Sequence, residues 1–415
     1  MTTKRVLVVG GGVVGLCCAM KLRQRGHDVV VVDAGAMGDG ASSGNGGWIC
    51  PSLSGPVPGP GVIGSSLRWM LRSDSPLLVR PGFDPKFWAW LIAFARHCNS
   101  SDFNRGLEAV ASLSLASLSL FGGLQDDGVA FELHRDGLLL LFATELAARR
   151  EMEALQVMET LGCPRPVWMD AQEVGRVQPA SRGRLVAGIL APRDQHVRPE
   201  SLCAGLVLWL RAAGVRLLPD TAVARLKVER GRAIGAVTGT GEELAADHLV
   251  LAAGVGSGPL AHAASLRLPL RGGKGYSVTF QSCSPPLGVP LYLSEAKVAI
   301  SPYRDGIRVL GTMELGTDPS GLSQKRVRGM LKACATYLPG LTLSSPAQAW
   351  AGERPMVPDG LPVIGAAPGL RNLTVATGHA MLGVTLAPAT AALVADLVEG
   401  RELPGYARAF SAGRF

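Results

Sequence analysis

The chain has 415 residues, of which 47% are hydrophobic and 18% charged, enough for two domains and a sizeable buried core. Its net charge of +8 comes from 41 basic against 33 acidic residues, spread without a basic run or basic–aromatic interleaving, so no nucleic-acid partner is expected. Mean hydropathy is +0.24, yet no apolar run of bilayer-spanning length is expected.

The most informative stretch comes first. A β-branched run over 6–9 predicts a strand, and it ends in Gly10-Gly11-Gly12-Val13-Val14-Gly15. A helix is expected to about residue 25, then Gly26, then a second apolar strand over 29–32 closing on Asp33. Strand, glycine turn, helix, strand and acid follow one another as a dinucleotide site requires. Gly10 permits the tight turn, Gly12 lets a pyrophosphate approach the backbone, and Gly15 lets helix and strand pack closely. The helix N-terminus presents free N–H groups to the phosphates, with Val13 and Val14 in its first turn. Asp33 is placed to accept from the ribose hydroxyls. No signal peptide or presequence is expected before the first strand, and the location is expected to be cytoplasmic.

The next segment is built of small residues, Ala34 to Gly47, which make neither a packed helix nor a strand. It follows the carboxyl end of the sheet, where ligands bind. Ala34, Ala41, Ser42, Ser43, Asn45, Gly46 and Gly47 are therefore assigned to a cofactor loop. Residues 67–159 read as mostly helical. Within them the apolar run 87–95, flanked by Lys86 and Arg96, reads either as a buried helix or as an interfacial helix docking on a membrane. A helix is expected over 145–161, with short connecting pieces over 168–177 and 182–190.

Pro199 and Glu200 suit the first turn of a helix running to about 213, where Gly214 stops it. A strand over 215–218 comes next, then strands over 223–229 and 233–238 around Arg230-Gly231-Arg232. A buried strand from 248 ends in Ala252-Ala253-Gly254 and is expected to return to the first sheet. Strand patterns dominate from 267 to 343. The tail holds Gly352-Glu353-Arg354-Pro355, a strand over 373–376, Thr377-Gly378-His379 and a final helix over about 387–399. Eight cysteines form no CxxC pair and no metal-spaced cluster, so neither metal nor disulfide is expected.

Several segments together resemble the D-amino-acid oxidase-like group of FAD-dependent oxidoreductases, and within it the D-amino-acid dehydrogenases. They are Ser43-Gly44-Asn45-Gly46-Gly47 with Pro51 and Ser52, Gly273-Lys274-Gly275-Tyr276-Ser277, and Gly311-Thr312 with Glu314. Trp350 to Gly365 and Thr377 to Gly383 complete the set. Leu386-Ala387-Pro388-Ala389-Thr390 is shared with the glycine oxidases. The resemblance implies an α/β chain of the glutathione-reductase type, with a Rossmann-like FAD-binding domain and a mixed-sheet α+β substrate domain. The FAD-binding parts are expected over 1–85, 191–264 and 346–415, and the substrate parts over 86–190 and 265–345.

By the same resemblance Arg354 grips a substrate carboxylate, a task for which a guanidinium fork is suited. Gly378, His379, Leu382 and Gly383 match the loop bordering the flavin ring, and Met381, Gly352, Val223, Ala253 and Gly254 are further cofactor-binding candidates. Ala380 stands where a glycine is common. Tyr276 and Tyr303 are candidates to line the substrate pocket, with core packing an equal alternative for each, and His379 is a candidate for a chemical or a structural role. No cysteine lies between Trp350 and Gly365, so FAD is expected to be non-covalent. The expected reaction is oxidative deamination of an amino or imino acid, a D-amino acid or D-proline derivative, by hydride transfer from the α-carbon to flavin N5. Alternatives are a glycine- or sarcosine-type oxidase using oxygen, and a flavin-bearing subunit of a hetero-oligomeric dehydrogenase. The electron acceptor (quinone, dye or oxygen), an oligomer and a peripheral membrane contact stay open.

Overall fold

The computed structural model describes residues 2–64, 66, 76–80, 82–318 and 321–415. The part of the expected helical region over 67–75 lies outside the described residues.

The first sheet forms as the valine runs require. Arg5–Val9 pairs in parallel with Asp28–Val32 on one side and His248–Leu251 on the other. Arg216–Leu218 and Leu373–Thr377 extend it in parallel, and Val363–Ala366 closes one edge antiparallel. The strand from 248 does return beside the first, with Val6 opposite His248 and Val9 opposite Leu251. Burial on both faces of the inner strands accounts for their unbroken Val/Leu runs, which alternation would have interrupted.

Helices Val13–Gln24, Pro199–Ala212 and Gly383–Glu399 cover one face of this sheet, around Leu16, Met20, Leu206 and Val394. A three-stranded antiparallel meander, Val223–Glu229, Arg232–Thr238 and Glu243–Ala245, covers the other through Leu226, Ala236 and Leu244. A second, nine-stranded mixed sheet forms the other half of the molecule. Its longest pairing joins Arg271–Phe280 to Pro346–Met356, and Gly306–Leu315 lies on the opposite side of Arg271–Phe280. Helix Gln324–Tyr337 packs on this sheet through Val327, Met330 and Cys334.

Two elements cross the boundaries expected from sequence. Helix Ser100–Asp126, placed with the substrate part, buries Val110, Leu113, Phe121 and Leu124 in the core of the parallel sheet's helical layer. Strand Pro346–Met356, placed with the last FAD-binding part, belongs to the mixed sheet over its whole length.

Three expectations need correction. At 27 residues, Ser100–Asp126 is long and apolar enough to cross a bilayer by length and composition. Its six serines and three glycines kept it from being noticed. The region read as mostly helical holds strands Leu77–Val79, Leu133–His134 and Leu138–Phe142. A five-residue apolar run buried on both faces carries no period that separates strand from helix. The last helix begins at Gly383, not near 387, because Pro388 sits inside it instead of opening it.

Candidate active site

Between the carboxyl ends of the parallel strands and the edge of the mixed sheet lies a cavity of about 790 Å³. The glycine turn forms its floor, with Gly10, Gly12, Val13 and Val14 in the lining. Side chains are excluded here by contact. A Cβ on Gly10, whose φ is +114°, would stand 2.3 Å from the Ala252 carbonyl oxygen. One on Gly15, which lies behind the lining, would stand 1.9 Å from the Gly10 carbonyl oxygen. Helix Val13–Gln24 opens without a side-chain cap on its own N-terminal residue, and the Val13 N–H is taken by Ser42 Oγ at 3.0 Å. Its free N-terminal donors and partial positive charge suit a pyrophosphate.

Asp33 stands at the end of the second strand, also in the lining. It accepts from the N–H groups of Gly11 at 2.6 Å and Gly35 at 2.8 Å, which fixes the carboxylate beside the turn. Ala34, Ala41, Ser42 and Asn45 bring the small-residue loop to the cavity, and Val223, Ala253 and Gly254 bring the meander and the returning strand. Gly352, His379 and Gly383 bring the tail. The other expected cofactor residues, Ser43, Gly46, Gly47, Gly378, Met381 and Leu382, lie outside the lining. Asn45 Oδ1 accepts from the Gly47 N–H at 2.7 Å, and Leu382 caps the last helix, whose N-terminus opens on the cavity at Gly383 and Val384.

Sequence reasoning missed Trp350, whose ring lies over Gly44 and Gly352 so closely that a Cβ on either would stand 2.1 Å from it. A lone aromatic two residues before a glycine was the available signal. The run Thr221-Ala222 with Ala224 was also missed, although small residues beside Val223 leave the same open space.

Arg354 sits one residue from the lining positions Glu353 and Pro355. It shares a face of the mixed sheet with Gly273, its register partner, and with Gly275 and Gly352. The missing side chain of Gly275 makes the berth, because a Cβ there would stand 2.2 Å from Arg354 Nη2. Nη1 donates to the Thr312 carbonyl at 2.9 Å. Among the described residues Arg354 has no carboxylate partner. Burial pulls its pKa down to about 10, so it stays a cation at neutral pH. A part-buried guanidinium with free donors and no counter-ion is costly unless an anion joins it.

Tyr276 is placed elsewhere. Its register partner is Ala351, so it points to the opposite face from Arg354, and its hydroxyl donates to Glu314 at 2.9 Å in a buried network with Arg326. Burial and the Glu314 carboxylate push its pKa up. Tyr303 also stays out of the cavity lining, and its hydroxyl donates to the Gly46 carbonyl at 3.1 Å. His379 does reach the cavity, but its Nε2 is 3.0 Å from Thr390 Oγ1, and burial lowers its pKa to about 4. It is a neutral, tethered ring.

The comparisons with known proteins agree with this geometry. The family model for FAD dependent oxidoreductases, DAO, matches residues 5–397. The chain is 34% identical over 408 residues to a D-amino acid dehydrogenase of Methylobacterium nodulans, covering 96% of each. It is 34% identical over 407 residues to one of Paramagnetospirillum magneticum, covering 96% of this chain and 95% of the relative. Among solved structures, glycine oxidase from Geobacillus kaustophilus superposes with a TM-score of 0.77 at 26% identity, covering 100% of both chains. L-proline dehydrogenase from P. horikoshii has a TM-score of 0.76 at 18% identity, covering 100% of this chain and 98% of its own, and shares the fold. The cavity between two sheets, the glycine floor with its acid, and the match across nearly the whole sequence lead to one conclusion: the chain belongs to the DAO family of FAD-dependent oxidoreductases.

Proposed function

We propose that this enzyme dehydrogenates α-amino acids of the D series to the imine, which water converts to keto acid and ammonia. The observation that carries the reading is Arg354, a cation without a counter-ion beside the cofactor cavity. Its free donors would hold the substrate carboxylate in a fork and so fix where the α-carbon lies. FAD, when bound, supplies the hydride acceptor. The substrate amine enters neutral, so its lone pair forms the C=N bond as the hydride leaves, and no general base is needed. Of the candidate bases in the lining, Glu353 is on the sheet face opposite Arg354 and His379 is tethered to Thr390. The D series and the dehydrogenase reaction are taken from the names of the relatives.

Dye reduction under anaerobic conditions with a panel of D- and L-amino acids, glycine, sarcosine and hydroxyprolines tests the reading. Reduction by D-amino acids, with little peroxide formed in air, is expected. In Arg354→Leu, kcat/KM is expected to fall by about 10²–10³, the worth of a paired charge-assisted hydrogen bond, mostly through KM and with FAD retained. Unchanged kinetics in that variant would remove the carboxylate clamp.

A second proposal concerns where the molecule sits. Helix Pro85–His97 buries Phe87 and Trp90 but leaves Trp88 47% and Ile92 53% exposed, with Phe83 fully exposed just before it. Lys86, Arg96 and Arg80 are exposed around them. Apolar side chains within a basic rim fit an anionic bilayer surface.

A further inference from the structure

Arg308 is the largest fully buried side chain among the described residues, 2% exposed, and its donors are engaged. It stands on strand Gly306–Leu315 of the mixed sheet. Nε donates to Thr279 Oγ1 at 3.0 Å, and Nη1 donates to two carbonyls of the cofactor loop, Ser43 at 2.7 Å and Asn45 at 2.8 Å. Nη2 meets the Glu200 carboxylate. Two neighbouring hydroxyls do the same to the next carbonyl: Ser301 Oγ at 2.8 Å and Tyr303 at 3.1 Å both donate to Gly46. The mixed sheet thus draws the carbonyls of residues 43, 45 and 46 toward itself.

A trans peptide plane points its N–H opposite to its C=O. The two planes whose oxygens Arg308 holds carry the N–H groups of Gly44 and Gly46. Neither has an acceptor among the described residues. Both donors therefore face away from Arg308; Gly44 and Gly46 are not themselves in the cavity lining, but Ser42 and the Asn45 between them are. The loop packs against the sheet here, since a Cβ on Gly46 would stand 2.9 Å from Leu310.

We propose that Arg308 is a positioning residue for the flavin: by holding the Ser43 and Asn45 carbonyls it fixes two amide donors for the nitrogen and oxygen acceptors of the ring. It touches neither substrate nor cofactor. Glu200 balances its charge, so orientation is its contribution, in contrast to Arg354, whose charge is left for the substrate. The proposal rests on the FAD-binding reading.

The test uses the full-length apo chain of the wild type, Arg308→Met, Arg308→Lys and Tyr303→Phe. Far-UV circular dichroism reports the fold, titration with FAD gives Kd, and the visible bands of bound flavin report its hydrogen bonding. Arg308→Met is expected to raise Kd by at least about tenfold, as for the loss of one or more charge-assisted hydrogen bonds, and to move the bands toward those of free FAD. Arg308→Lys, which can hold one carbonyl but not both, is expected to fall between. Tyr303→Phe is expected to give a smaller shift in the same direction with the fold intact. A folded Arg308→Met with wild-type Kd and bands would overturn the proposal alone. Should that variant not fold, an unshifted spectrum in both Arg308→Lys and Tyr303→Phe would overturn it equally. A wild-type chain that binds no FAD would overturn the cofactor reading and this proposal together.

Discussion

Asp194 shows how much a single buried group can set the conditions under which the fold holds. It lies in the turn between strands Ala187–Ala191 and Gln195–Val197, 2% exposed, with Ser52 Oγ donating to its carboxyl. Burial pushes its pKa up to about 7 from its ordinary value of 3.8. Between those values the folded chain binds the proton and the unfolded chain does not. The stability Asp194 contributes is therefore fully present below about pH 4 and lost as pH rises through 7, on the order of 4 kcal/mol in all. Buried His196 and His248 run the other way: with pKa lowered to about 4 by burial, they lose stability as pH falls from 6.5. Comparing Asp194→Asn with the parent at each pH cancels the histidines. The variant, which keeps the neutral shape, is expected to match the parent in Tm below about pH 4, to exceed it increasingly from there to pH 7, and to hold that lead above pH 7. Parallel curves would mean that the group is ionised in the native fold. No signal in the sequence singled out Asp194, because desolvation depends on what folds over a residue. Ala380 is the opposite case. It stands where a glycine is common, and the structure gives the reason: its φ is +48°, a left-handed conformation that a side chain disfavours.

At the scale of elements, legibility followed periodicity. The glycine turn, its flanking strands and the meander were readable because each carries a pattern that only one structure satisfies. Which face a side chain takes was not readable. Tyr276 and Arg354 sit on neighbouring strands, yet only register decides that one points into the buried Glu314 network and the other over Gly275. Trp350, with only a nearby glycine as a signal, was missed for the same reason. Helix Pro85–His97 lies between these cases. Its aromatic run allowed a buried or an interfacial helix, and the structure divides the residues between the two, burying Phe87 and Trp90 and leaving Trp88 and Ile92 outside. If the outer face meets anionic lipid, the chain should co-sediment with phosphatidylglycerol vesicles more than with phosphatidylcholine vesicles, and less as salt rises. The double substitution Trp88→Ser and Ile92→Ser is expected to weaken that binding about tenfold or more, with dye reduction of soluble substrate unchanged. Equal sedimentation of parent and variant would assign the exposed face another purpose.

The whole molecule is organised by a cavity that three distant stretches of chain share. Gly10 and Asp33 come from the beginning, Val223 and Gly254 from the middle, Gly352 and Gly383 from the end. None of these walls closes without the others, so a ligand filling the cavity binds the assembled fold and not the unfolded chain. Mass action then makes FAD part of the stability: at 100 times its Kd it adds about 2.7 kcal/mol. The expected result is a saturable rise in Tm of the apo chain with added FAD and none with NAD at the same concentration. Because no cysteine stands between Trp350 and Gly365, acid precipitation of the yellow holoenzyme should leave the flavin in the supernatant. Flavin that pelleted with the protein would point to an attachment elsewhere. A Tm indifferent to FAD would mean that the chain does not bind it, and the cofactor reading would fall.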